Sequence, residues 1–128
     1  MIIKAQADEE LCMEITAKRI YDDPDNNGAR VLVDRLWPRG VSKEEAQLDA
    51  WIKEVAPSDE LRTWYDHDPD RWTEFKERYV SELKEKDDAV GRVLDVAKDD
   101  QLTLLYAATD RERNNAVVLR EYLESQID

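Results

Sequence analysis

Two apolar runs limit what this chain can fold into. Val31-Leu32-Val33, inside Arg30 to Leu36, and Leu102-Thr103-Leu104-Leu105-Tyr106-Ala107-Ala108 are too short for core helices and too uniformly apolar for strands with one wet face. Runs of this kind suit strands covered on both sides, the pattern of parallel sheets. The long stretch between them carries helical spacing, so the two strands are expected to run parallel, joined by a helical crossover. Glu14 to Tyr21 alternates, with Ile15 and Ala17 on one face and Thr16, Lys18 and Ile20 on the other, and reads as a third strand. The turn-rich Asp22-Asp23-Pro24-Asp25-Asn26-Asn27-Gly28 is shorter than a usual parallel crossover. The first two strands are therefore expected to be antiparallel neighbours. The fold class that follows is α/β: a small mixed, largely parallel three-stranded sheet covered by about five helices.

The helices announce themselves by their caps. Ser42-Lys43-Glu44-Glu45 is a capping box, and Leu48, Trp51, Ile52 and Val55 follow it at helical spacing up to Pro57. Ser58 caps a short helix with Leu61, Trp64 and Tyr65 on one side. Asp68 and Pro69 read as N-cap and first helical position of a longer helix whose stripe is Trp72, Phe75, Tyr79 and Leu83. Asp88 to Lys98 offers Val90, Val93, Leu94 and Ala97, and Asn114 to Gln126 turns Ala116, Leu119, Tyr122 and Leu123 inward. Nothing marks an internal boundary, so residues 1–128 are expected to form a single domain. Residues 1–13 form an accessory or frayed segment in this reading.

Composition narrows the partners. With 31 acidic against 19 basic residues, the net charge is −12. A field of that sign repels nucleic-acid phosphates and anionic lipid, so neither is an expected partner. One cysteine, Cys12, and one histidine, His67, are too few for an internal disulfide or a His/Cys zinc site. No metal and no cofactor is expected. No apolar stretch approaches the roughly 20 residues that cross a bilayer. Cytoplasmic residence is the default expectation.

In open parallel sheets, ligands bind where the strands end. That edge should gather Arg35, Trp37, Arg39 and Ser42 with the turn from Tyr106 to Asn115. Two readings compete for Arg35 and Arg39: ion pairs that hold the strand–helix turn, or guanidinium groups that meet an anion beside helix N-terminal amides. Trp37, beside Pro38, is expected to line a pocket, whereas Trp51, Trp64 and Trp72 fall on apolar helix faces and read as core. Tyr106 would add a second wall, and Asn114 and Asn115 orienting hydrogen bonds. His67 and Asp110 are the candidate proton carriers, each with a plainer reading: a turn histidine bonded to backbone, and a helix cap. Asp34 and Asp110, both near strand ends, could as a carboxylate pair bind a metal or exchange protons; the plainer reading of Asp34 is an arginine's partner. No phosphate loop, HExxH or GxSxG is present.

The run Arg30-Val31-Leu32-Val33-Asp34-Arg35-Leu36-Trp37-Pro38-Arg39-Gly40, with Lys18-Arg19-Ile20-Tyr21-Asp22 before it, resembles the YeaO-like proteins, domain of unknown function 488. Asp49-Ala50-Trp51, Ala56-Pro57-Ser58, Leu61-Arg62, His67-Asp68-Pro69 and Leu104-Leu105-Tyr106-Ala107-Ala108 match in order after it. The resemblance covers nearly everything from Lys18 onward and implies no particular reaction. Close relatives often carry His-Asn-His where this chain has Arg113-Asn114-Asn115, which counts against histidine or metal chemistry there. The wider family often has Cys at the strand end and Cys-His-Arg beyond. Here Tyr106 and Asn114-Asn115-Ala116 stand in those places, so thiol chemistry is absent. Two functions remain: binding of a small anion or anionic metabolite, with a proton-transfer step as an option, or a non-catalytic interaction module that could be a homodimer.

Overall fold

A computed structural model describes residues 13–22, 24 and 28–127. Of the segment 1–13, expected above to be accessory or frayed, residues 1–12 lie outside the described residues, and Met13 packs against the core. Four strands form one sheet in the order β1-β4-β2-β3: β1 (Glu14–Arg19), β2 (Ala29–Leu32), β3 (Ala50–Trp51) and β4 (Gln101–Tyr106). Every pairing among them is parallel. The α/β class and the parallel pairing of β2 with β4 agree with the sequence reading; the sheet has one strand more than expected.

The antiparallel pairing expected of the first two strands is corrected: β4 lies between β1 and β2. Arg19 sits level with Tyr106, while Ala29 sits level with Leu102 and hence with Ile15. The chain must therefore go back four residues, about 13 Å, and across two strand spacings, about 10 Å. Residues 20–28 reach about 30 Å when extended, so a crossover without a helix suffices. Gly28 ends that crossover at φ +80°, where a Cβ would overlap the Cβ and carbonyl of Gln101.

Five α-helices are described: α1 (Lys43–Ala46), α2 (Asp59–Tyr65), α3 (Trp72–Leu83), α4 (Asp87–Asp95) and α5 (Asn115–Ile127). Strand alternation explains how the core divides. Ile15, Ala29, Val31, Val33, Leu102, Leu104 and Tyr106 face a layer that includes Leu61, Phe75, Tyr79, Leu83, Val93, Leu119 and Leu123. Leu32, Leu105 and Ile20 face the other way, under Ala46, Trp37, Val41 and Leu48. One side thus carries α2 to α5, and the segment that follows β2, with α1 in it, covers the other.

The helix expected behind the capping box lasts one turn. Ser42 and Glu45 do bond each other's backbone, but Gln47 turns left-handed at φ 49° and the chain enters β3. An open edge of β2 would leave buried backbone groups unpaired. That demand outweighs the helical spacing of residues 48–55: Ile52 N–H donates to Leu32 O at 3.1 Å, and Asp49 N–H to Arg30 O at 2.8 Å. Asp49 Oδ2 in turn accepts from Arg30 N–H, and buried Arg30 donates from Nε and Nη2 to Ala46 O. As a consequence Trp51 is 38% exposed rather than core, a second correction. Trp64 and Trp72 do pack against the helix-side core.

Candidate functional site

The strands finish around a cleft of about 780 Å³. Its walls come from the segment after β2, from the connection and helix of α2, and from the turn after β4. The sequence gathered Arg35, Trp37, Arg39, Ser42 and the turn from Tyr106 to Asn115 at this edge; Arg35, Trp37, Arg39, Asn114 and Asn115 line the cleft, Ser42 does not, and His67, named only as a proton carrier, lines it as well. Tyr106 does not: its even-numbered position in β4 turns it into the helix-side core, 2% exposed. Asp110 does not line it either.

The two arginines that drew attention behave differently. Arg35 donates from Nε to Pro57 O (3.3 Å) and from Nη2 to Ala56 O (3.2 Å), so its head is held by the backbone before α2. Asp59 lies 3.8 Å away and is itself largely exposed. Arg39 is exposed, and no described residue pairs with its guanidinium; only its carbonyl is engaged, accepting from Tyr21 Oη at 2.9 Å. Two further guanidiniums, missed as site residues, complete the rim. Arg62 pairs with Asp59 at 3.2 Å, and Arg113 with Asp110 at 2.9 Å. Arg62 follows buried Leu61 by one position in α2, so the helical stripe that marks Leu61 and Tyr65 as core also turns Arg62 outward.

The floor is Asp34, just past β2. Its Oδ2 accepts from Ala107 N–H at 2.9 Å and its Oδ1 from Asn115 Nδ2 at 3.1 Å. Burial pushes its carboxyl above the usual range, against the opposing pull of those two donors and of the Arg62 charge. Asn115 Nδ2 also donates to Val33 O, so this side chain ties the end of β2 to the start of α5. Asn114 is occupied at both ends, accepting from Val117 N–H and donating to Asp110 O. Both ends of Asn114 and the amide N–H group of Asn115 are thus engaged with the scaffold.

The helix starts offer little to an anion. At α1 Ser42 and Glu45 fill the cap, and ahead of α5 Asp110 accepts from the N–H groups of Glu112 and Arg113. Those bonds, with Arg113 Nε, hold the Asp110 carboxyl below its usual range. Asp110 thus braces the turn ahead of α5, whereas the helix itself is capped by Asn114, whose Oδ1 accepts from Val117 N–H; the plainer reading of Asp110 as a helix cap is corrected. His67 stands at the mouth, exposed, in a left-handed pair with Asp66 (φ 54° and 47°), its ring 6.3 Å from that of Tyr65.

The remaining wall is aromatic and apolar. Trp37 donates to Val41 O at 2.7 Å and meets Trp51 edge to face at 5.4 Å, while Trp51 Nε1 donates to Asp34 O at 2.8 Å. Tyr65 and Phe75, stacked at 4.5 Å, line the opposite side with Pro57. Among the described residues no three His, Cys, Asp or Glu side chains gather as a metal site, and no helix is long and apolar enough to cross a membrane.

Residues 14–128 match the family described as the inactive DUF488-N3 subclade. The uncharacterized protein YeaO of Escherichia coli is 43% identical over 114 residues, covering 88% of this chain and 99% of that one. The uncharacterized proteins Mb3100c of Mycobacterium bovis and MT3158 of Mycobacterium tuberculosis are each 38% identical over 113 residues, 88% of this chain and 95% of theirs. No solved structure matches the chain significantly. The Arg-Leu-Trp-Pro-Arg-Gly block that builds one wall of the cleft therefore comes with the family fold around it, and the chain belongs to the YeaO-like DUF488 family, within its inactive DUF488-N3 subclade.

Proposed function

We propose that this chain is a small cytoplasmic binding protein that holds a compact anion or anionic metabolite in the cleft and does not turn it over. One observation carries the reading: Arg35, Arg39, Arg62 and Arg113 surround a single opening on a chain of net charge −12. Arg39 has no described counter-ion, and the partners of Arg62 and Arg113 are an exposed and a half-buried carboxylate, pairs that water still screens. An entering anion can displace such pairs at little cost. The subclade description "inactive" supports binding without turnover. So does the carboxylate of Asp110, whose oxygens are engaged by Glu112 N–H, Arg113 N–H and Arg113 Nε.

Melting curves across phosphate, sulfate, small carboxylates and nucleotides at constant ionic strength test the reading. A ligand present at a hundred times its Kd stabilises the fold by about 2.7 kcal/mol. A flat response across the whole panel refutes anion binding.

A second reading, an interaction or homodimerisation module, is favoured by the cleft's mouth. Leu36 is 61% exposed and Tyr21 45%, both on the lining, with exposed Trp51 against Trp37 next to them. Under this reading light scattering finds a dimer that Arg39→Ala weakens, and the anion panel stays flat.

A further inference from the structure

The cleft holds a carboxylate as well as guanidiniums, and that carboxylate argues about what the ligand is. Asp34 lines the cavity and is mostly buried, yet its two oxygens accept one protein bond each, from Ala107 N–H and Asn115 Nδ2. A carboxylate has about four acceptor sites, so two stay open. No described cation forms an ion pair with it within 4 Å; Arg62, whose charge it feels, is paired with Asp59 instead. A bare anion seated on the arginines would bring its charge toward those open lone pairs and be repelled. A ligand carrying a cationic N–H group would fill them and offset the cost of burying the Asp34 charge. Beside the polar Thr63, Asp66, His67 and Thr109, the lining presents hydrocarbon and aromatic surface from Trp37, Pro57, Tyr65 and Phe75, in a volume far larger than an inorganic anion requires.

The geometry points to a small zwitterion with an apolar body as the ligand class: its ammonium on Asp34, its carboxylate on Arg62 and Arg39, and its body against the aromatic wall. This rests on the anion-binding reading above and narrows it. Negative and positive poles share one cleft, and the Arg62 charge is near enough to act on Asp34.

Three molecules sharing a phenyl body separate the contributions: L-phenylalanine, 3-phenylpropionate without the ammonium, and 2-phenylethylamine without the carboxylate. Titration calorimetry on the full chain should find phenylalanine at least tenfold tighter than either. Asp34→Asn should weaken phenylalanine and tighten 3-phenylpropionate, bringing the two level, while Arg39→Ala weakens both. The wild-type ranking decides the matter even if Asp34→Asn fails to fold. Equal binding of phenylalanine and 3-phenylpropionate to the wild type overturns the inference. So does silence from all three alongside binding of phosphate or a nucleotide, and in both cases anion binding survives. Silence from these and from the whole anion panel refutes both.

Discussion

Arg35 and Arg39 stand four residues apart and carry the same charge, but the geometry gives them opposite responses to truncation. In Arg35→Ala the carbonyl of Pro57 loses its 3.3 Å partner, while that of Ala56 keeps a second one, Lys86 Nζ at 2.9 Å. One orphaned carbonyl and one shared bond are therefore at stake rather than two full bonds. A hydrogen bond to a charged group is worth about 1.5–3 kcal/mol. The long distances and an Arg35 side chain 29% exposed put the loss toward the lower end, at about 1–2 kcal/mol. For a chain of this length that is a fall of roughly 3–8 °C in melting temperature. Arg39→Ala removes no ion pair or side-chain bond within the described residues and should stay within about 0.5 kcal/mol. Urea unfolding followed by tryptophan fluorescence measures both, and each midpoint is read with its slope. Equal, near-zero effects would show that the Arg35 tether contributes nothing. A loss above 1 kcal/mol in Arg39→Ala would mean that Arg39 is a structural residue, and the free cation at the cleft mouth would disappear from the binding argument.

Two more outcomes follow from the same coordinates. Burial raises the Asp34 carboxyl above its ordinary 3.8, so protonation favours the folded state. That contribution is full below 3.8 and is lost as pH rises through the folded value, so the stability of wild type relative to Asp34→Asn should shrink as pH rises; a gap that widens in unfolding curves would contradict the raised value. Gly28→Ala should cost more than about 2 kcal/mol, from its positive φ and the overlap with Gln101, whereas Gly91→Ala, with open space at its Cβ in α4, should stabilise by about 0.5–1 kcal/mol; thermal melts that order them the other way would refute the crossover geometry.

The legible parts of the fold were those whose signal is local. The Ser42 and Ser58 caps, the Asp68-Pro69 start and the stripe Phe75, Tyr79, Leu83 need only neighbours in sequence. The unbroken apolar run of β4 announced burial on both faces because it occupies an interior position in the sheet. What failed was non-local. Nothing in residues 14–32 says that a strand made seventy residues later will insert between β1 and β2. Residues 48–55 carry a helical spacing that the open edge of β2 overrules. The same division runs through the cleft. Arg35, Trp37 and Arg39 were found because the end of a parallel strand is a known place for a site. Arg62 was not, because α2 reaches the cleft only through tertiary packing.

The arrangement of charge also shows why a helix start was the wrong place to look for anion affinity. At α1 and α5 the first amides are taken by side chains of the same turns, so the macrodipole ends are capped before any ligand arrives. What is left uncommitted is side-chain charge: Arg39 without a described partner, Arg62 in an exposed pair and Arg113 in a half-buried one. Such guanidiniums are mobile and salt-screened, and alone they would bind many anions weakly. Selectivity then has to come from the rigid part of the cleft. That part is Asp34, clamped between Ala107 and Asn115, and the aromatic wall packed into the core. A ligand that satisfied only the arginines would therefore lose its affinity steeply with added salt. One that also engaged Asp34, buried and less screened, would keep a larger share of it.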